Sequence, residues 1–495
     1  MKITNNKMIL RVGVIFVALF VVVNTKSVNN YENAKQEVEK YILNKKKDIN
    51  LQYKLHYHVT PPVGWMNDPN GFSHINGEYH LFYQFYPYDS VWGPMHWGHV
   101  ASPDLVHWKQ LPTALIPEDE QCFSGGAFSY EDKMVLMYTG RRVSEEDPYF
   151  NETQYLAFSE DGINFDKYDG NPVLSVTPNN AADFRDPKVW QHGDYYYVVL
   201  GSKTDDERGR ALLYRSKDVF NWEFVSVLGE SKGDLGYMWE CPDFFELDGK
   251  FVLLMSPQGV EPKGDRYKNI YQNGYIIGDF DYETFEFKPE VEFQELDFGH
   301  DYYAASTTEN DGKRYVIAWF NTWETVHPEA EDGWAGAMTI VREMKIVNNR
   351  ILMTPVADMV SLREEPGTHK ELQLNEKMQF GKAVEVIVDA DLNQKIELQL
   401  DGVEGGGQVW LRWDPEVGKV VVDRGSDDIR QVEWEPLGSH SWRIFLDASS
   451  LELFCGEGEV VCSSRVYPMG GWKLKNLSPQ AVTITAYNLQ TSAPL

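Results

Sequence analysis

A tight turn followed by a β-forming run occurs five times in this chain, and that recurrence restricts the folds open to it. Asn76-Gly77 precedes Tyr79-His80-Leu81-Phe82-Tyr83-Gln84-Phe85. The same order appears at Glu131-Asp132 with Met134 to Tyr138, and at Gly193-Asp194 with Tyr195 to Leu200. It returns at Asp248-Gly249 with Phe251 to Met255, and at Asp311-Gly312 with Tyr315 to Phe320. The turns fall near 77, 132, 193, 249 and 312, a period of about 55–63 residues. A lone hairpin cannot bury its apolar face, so five in series predict radial repetition: an all-β chain with a five-bladed β-propeller over residues 55–350. A second mark accompanies the first. Ser102-Pro103-Asp104 ends at Trp108, Ser159-Glu160-Asp161 at Phe165 and Ser216-Lys217-Asp218 at Trp222, each where a blade's outer hairpin belongs; Asp279 to Phe285 is a degenerate fourth copy.

Polar residues occupy one phase of this repeat. Asp68 lies nine residues before Gly77, Ser124 eight before Asp132, Asp186 seven before Gly193 and Glu240 nine before Gly249. Equivalent strands of a propeller converge on its axis, so three carboxylates distant in sequence are expected in one pocket. Any single Asp beside a Pro is an ordinary turn residue; the shared phase is what argues for a site. Glycoside cleavage requires such a set, one carboxylic acid to protonate the leaving oxygen and one carboxylate to attack the sugar or to activate water. Asn67 is a hydrogen-bond partner for a sugar hydroxyl or for Asp68, or else an Asx turn. Arg185 is expected to pair with a carboxylate, with neighbouring Asp186 the candidate it would hold ionised. Trp65, Trp92, Phe123, Trp239 and Trp319 are candidate sugar platforms, Trp65 and Trp92 foremost, although tryptophan serves a β-core equally well. Cys241 reads as a small buried group, because no His lies close in sequence to activate it.

The rest of the chain sets bounds. A formal charge of −29 argues against a nucleic-acid partner, which needs Lys and Arg, and is compatible with a neutral substrate. Four cysteines form no framework. A hairpin centred on Glu457-Gly458 pairs Cys455 with Val460, so Cys455 and Cys462 miss each other and read as free thiols. No CxxC or His-x-x-x-His pattern suggests a structural metal. In residues 1–27, Lys2, Lys7 and Arg11 precede the apolar run 12–23, which has the length of a leader's apolar region and is short for a membrane span; the competing reading is an overextended start. Residues 28–54 comprise an amphipathic helix near 31–47 and a lead-in. Residues 351–370 form a connector. Over 371–495 short alternating strands between Gly, Asp and Pro turns predict a β-sandwich, with strands at 383–388, 396–400, 409–413, 420–422, 442–446, 451–454 and 481–487.

The stretches Trp65 to Gly71, Phe123-Ser124-Gly125, Arg185-Asp186-Pro187 and Glu240-Cys241-Pro242 resemble the motifs of glycoside hydrolase family 32, the invertase family, in order over roughly 50–490. The resemblance implies a retaining β-fructofuranosidase acting on a small sugar: sucrose, sucrose-6-phosphate or a short fructan. By that resemblance Asp68 is the nucleophile, Asp186 stabilises the transition state and Glu240 is the general acid/base. Trp65, Met66, Asn67, Gln84, Trp92, Phe123, Ser124, Arg185 and Trp319 match sugar-contacting positions, and no metal or organic cofactor is implied. Trp92 to His99, Gly236 to Trp239 and Gly333 to Ala337 look most like bacterial sucrose or sucrose-6-phosphate hydrolases. That subgroup implies a cytoplasmic enzyme, whereas residues 1–25 would imply an exported or anchored one. The residues themselves leave two further readings open: an inverting five-bladed glycosidase acting on arabinose or xylose polymers, and a non-catalytic glycan-binding propeller. They do not address oligomeric state.

Overall fold

The computed structural model describes residues 30–142, 151–175, 183–389, 393–425 and 428–494. An α-helix spans 30–45 and tightens into a 3-10 turn at Lys46–Asp48. Among the described residues no helix is long and apolar enough to cross a membrane, and the apolar run 12–23 lies outside them. The remainder is almost wholly β.

Five antiparallel sheets follow one another along the chain. Their first strands are Gly64–Ile75, Gln121–Tyr130, Phe184–His192, Met238–Leu247 and Tyr303–Asn310. Each is joined to its second strand by the turn recognised in the sequence. Asn76 and Gly77 (φ 55° and 81°), Asp248 and Gly249 (50° and 78°), and Asp311 and Gly312 (52° and 71°) all have left-handed backbone. Two successive positive-φ residues match the right-handed twist of the flanking strands, which is why Asn, Asp and Gly punctuate the repeat. The Ser-x-Asp marks form a common turn. Asp104 Oδ1 accepts from the N–H groups of Val106 and His107, and Asp161 and Asp218 do the same for Ile163 and Asn164 and for Phe220 and Asn221.

The first strands pack against one another in cyclic order, the fifth returning to the first. Trp334–Ala335, from the connection inside the fifth repeat, pairs in parallel with Gly64 and Trp65, so the end of the series is hydrogen-bonded to its beginning. In all five first strands the ladder slips at the same place: between Met66 and Pro69, Cys122 and Gly125, Arg185 and Lys188, Glu240 and Asp243, and Tyr303 and Ser306. A bulge adds a residue, bends the strand and re-aims side chains. Asp186, Cys241 and Ala304 within these bulges have φ of 64°, 46° and 54°, conformations that cost a non-glycine residue about 1–3 kcal/mol.

Past the fifth sheet, a 3-10 helix at Ala357–Leu362 leads into two six-stranded sheets. Val384, Val386, Val388, Trp442 and Ile444 of one sheet and Leu398, Leu400, Leu411 and Trp472 of the other share one apolar core. Cys455 lies opposite Val460, the register expected, and all four cysteines are free. The strands absent from the sequence reading include Thr368–Leu372, Lys377–Phe380 and Ile429–Glu433, edge strands with little buried surface and hence little apolar alternation.

A buried ionic cluster joins residues 56–58, the fifth sheet and the sandwich. His58 is held between Asp447 Oδ2 and Glu452 Oε1, 2.9 Å from each. Arg342 donates to Glu452 (2.5 Å) and Asp297 (2.8 Å). Asp447 also accepts from the backbone N–H groups of His56 and Tyr57.

Candidate active site

A cavity of about 320 Å³ lies where four of the five bulges meet. Asn67, Asp68, Gln84, Trp92, Phe123, Ser124, Arg185, Asp186 and Glu240 line it, with Arg141, Glu152, Asp183, Gln258, Tyr271 and Trp323. Asp68, Ser124, Asp186 and Glu240 thus come together from four different sheets.

Asp68 is held at both oxygens. Ser124 Oγ donates to Oδ2 (2.7 Å) and Asn67 Nδ2 to Oδ1 (3.1 Å). Burial and then the charge of Glu240 raise its pKa, and the hydrogen bonds from Ser124, Asn67 and Cys241 work against that rise. The orientation of the Asn67 amide is set from behind, because Trp65 Nε1 donates to Asn67 Oδ1 (2.8 Å) and leaves Nδ2 facing Asp68. Trp65 is buried with Trp319 against its edge at 6.0 Å and Trp323 stacked on it at 6.2 Å. Trp65, Met66 and Trp319 are therefore a supporting layer outside the cavity lining. Met66 is wholly buried, and its carbonyl lies so close to Gly336 (φ 91°) that a Cβ there would come within 2.1 Å.

Asp186 and Glu240 are bound differently. Asp186 Oδ2 accepts the backbone N–H of Cys241 (2.9 Å), and the Cys241 sulphur lies 3.6 Å from both Asp186 Oδ2 and Asp68 Oδ2. Burial, opposed by Arg185 and reinforced by Glu240 and Asp68, pushes Asp186 up. Burial and the same carboxylates hold the Cys241 thiol well above its usual range, so it stays protonated between two acceptors and is no nucleophile. Glu240 Oε1 accepts from Arg185 Nη2 (2.9 Å) and Nε (3.2 Å), and Oε2 accepts the Tyr303 hydroxyl (2.5 Å). The guanidinium also reaches Asp183 (2.6 Å) and Glu152 (3.4 Å).

The partner of Arg185 is thus not the adjacent Asp186. Successive strand side chains diverge, and the left-handed backbone at Asp186 carries its carboxylate to the Cys241 N–H, leaving the guanidinium to Glu240. At the mouth, Trp92 is 41% exposed and stands edge-on to Phe123 at 6.2 Å, while the Arg141 guanidinium lies over Phe123 at 4.9 Å. Gln84 Nε2 is fixed on the Cys122 carbonyl (2.9 Å). The strand phase used for the carboxylates, applied to the ends of the second strands, would have found Arg141 and Gln258 beside Gln84. On the first strands the same phase reaches Tyr303, nine residues before Gly312; Glu152, Asp183, Tyr271 and Trp323 carry no comparable signal.

Burial and the neighbouring carboxylates raise both Asp68 and Asp186, so these two hold a proton to higher pH than isolated groups would. Chemistry that needs one carboxylate ionised beside one protonated acid requires that condition.

The description "Glycosyl hydrolases family 32 N-terminal domain" matches residues 58–355, and "Glycosyl hydrolases family 32 C terminal" matches 358–490. The chain belongs to glycosyl hydrolase family 32 and is a glycoside hydrolase. It is 41% identical over 445 residues to a sucrose-6-phosphate hydrolase of Zymomonas mobilis, covering 83% of this chain and 86% of that protein. It is 36% identical over 431 residues to the raffinose invertase of Escherichia coli, covering 83% and 89%. Among solved structures, a Bombyx mori GH32 beta-fructofuranosidase is 61% identical with a TM-score of 0.92, covering 94% of this chain and all of that one; an Asp-to-Ala mutant of it was solved in complex with sucrose.

Proposed function

We propose that the chain is a retaining β-fructofuranosidase that removes the terminal fructosyl unit of sucrose or a close derivative. The five cyclically packed sheets are the blades of a five-bladed propeller, the catalytic domain over 55–350. A connector at 351–370 leads to a sandwich at 371–495 that takes no part in the chemistry. Asp68 attacks the anomeric C2 of the fructosyl unit while Glu240 protonates the departing glycosidic oxygen. The fructosyl ester on Asp68 is then opened by a water that gives its proton to Glu240, releasing fructose and restoring both groups. Asp186 hydrogen-bonds the ring hydroxyls, and nearby carboxylate offsets the charge of the developing oxocarbenium ion.

One observation carries the reading: carboxylates from three separate sheets share one cavity, and two of them lie 3.6 Å from a single thiol. The family membership and the relatives named for sucrose-6-phosphate and fructofuranoside hydrolysis support it. Asp68→Asn and Glu240→Gln are each expected to lose about 10³-fold or more in kcat/KM, roughly 4 kcal/mol of transition-state stabilisation, with unchanged folding. Undiminished turnover by folded Asp68→Asn would remove Asp68 from the mechanism.

A further inference from the structure

We infer that this site, read as the fructosidase site proposed above, takes the unphosphorylated sugar and disfavours its 6-phosphate. A sugar phosphate brings about −1.5 to −2 charges at pH 7 and is held by arginine clusters or helix N-termini. Five carboxylates line the cavity instead: Asp68, Glu152, Asp183, Asp186 and Glu240. Two guanidiniums and, among the described lining residues, no Lys or His stand against them. Even with one carboxyl protonated, the anionic groups outnumber the cationic ones.

Of the two guanidiniums, one is committed to carboxylates and the other is packed on the aromatic wall. Arg185 is engaged by Glu240, Asp183 and Glu152. Arg141 lies over the Phe123 ring at 4.9 Å and 5.9 Å from the Trp92 ring, an arrangement that positions it among the aromatic groups of the wall. Lys203, the other cation on Asp183, sits 3.0 Å from its second oxygen.

What the mouth does offer is aromatic surface. Trp92 and Trp323 are 41% and 37% exposed, and such faces suit the C–H faces of a neutral sugar ring. A formal charge of −29 on the whole chain adds a field that opposes the approach of a dianion. The inference sets this chain apart from the sucrose-6-phosphate hydrolases that it resembles.

The test is kcat/KM of the full chain on sucrose and on sucrose-6-phosphate, at low and at raised ionic strength. The expected result is a value at least about tenfold lower for the phosphate, with the gap narrowing as salt screens the pocket while the sucrose value stays constant. Equal or faster cleavage of the phosphate would overturn the inference and leave the fructosidase reading intact. A gap indifferent to salt would also overturn it, since shape rather than charge would then discriminate. Failure of the folded enzyme to cleave either sugar would overturn both.

Discussion

Replacing His58 by Leu tests the cluster that ties residues 56–58 to the sandwich. The ring is fully buried and makes two 2.9 Å contacts, one to Asp447 and one to Glu452. Hydrogen bonds to charged groups contribute about 1.5–3 kcal/mol each, and removing one partner of a buried ionic set costs about 3–5 kcal/mol. Both carboxylates keep other donors here, Asp447 from His56 and Tyr57 and Glu452 from Arg342 and Ile340, so the lower end, about 3 kcal/mol, is expected. That is a large part of the roughly 5–15 kcal/mol that holds a native protein together.

The pH dependence follows from the directions of the shifts. Burial lowers the pKa of His58, but its bonds to Asp447 and Glu452 outweigh burial and raise it above 6.5. Its contribution is therefore complete below pH 6.5 and fades as pH rises through the raised value. Burial raises Asp447 and Glu452, but His56 and His58 for the first, and Arg342 and His58 for the second, outweigh it and lower both. Their contribution is complete above the ordinary carboxylate range, near 4.5, and fades as pH falls through the lowered values. Urea unfolding of wild type and His58→Leu across pH should show the widest gap between about pH 4.5 and 6.5. A gap under about 1 kcal/mol there, or one that widens above pH 6.5, would refute the reasoning.

Two further outcomes are expected. Ser124→Ala removes a donor to the ionised form of Asp68, so the acid limb of the kcat/KM profile should move up by about one pH unit, because the nucleophile must be ionised to act; an unmoved limb would mean that this hydroxyl does not stabilise the attacking carboxylate. Location is checked by N-terminal sequencing of the native protein: a cytoplasmic enzyme keeps an unprocessed terminus in the cell extract, and recovery from the medium of a protein starting just beyond the apolar run would overturn the subgroup-based reading.

The parts of this molecule visible in the sequence were those with local causes. Left-handed turns need Asn, Asp or Gly, so Asn76-Gly77, Asp248-Gly249 and Asp311-Gly312 mark their hairpins without reference to the rest of the fold. The sandwich strands that alternate, such as Ile396–Gly402 and Val409–Asp414, were equally plain. Features that arise when strands meet were not. The bulges at Asp186 and Cys241 are marked only by the Pro that follows each, a residue equally at home in an ordinary turn, and the bulge is what parts Arg185 from Asp186 and gives it to Glu240. Tyr303 reaches Glu240 from another sheet, 63 residues away in sequence; it stands nine residues before Gly312, in the phase of Asp68 and Glu240, but its phenol lies outside a search for carboxylates. Trp65 and Trp319 stand out in the sequence as aromatic residues, but only the packing shows Trp65 bonded to Asn67 and Trp319 against the edge of Trp65.

The assignment of Asp68 as nucleophile meets its most direct test in trapping the covalent intermediate. Glu240→Ala enzyme, turning over an activated aryl fructoside whose leaving group needs no protonation, is quenched in acid, digested and mapped by mass spectrometry. Loss of the general base slows hydrolysis of the ester, so the account predicts one fructosyl group esterified to Asp68, on the peptide carrying Trp65 to Gly71. A fructosyl label on Asp186 or on another peptide, or turnover with no covalent adduct and an inverted anomer of fructose released first by the wild-type enzyme, would contradict it.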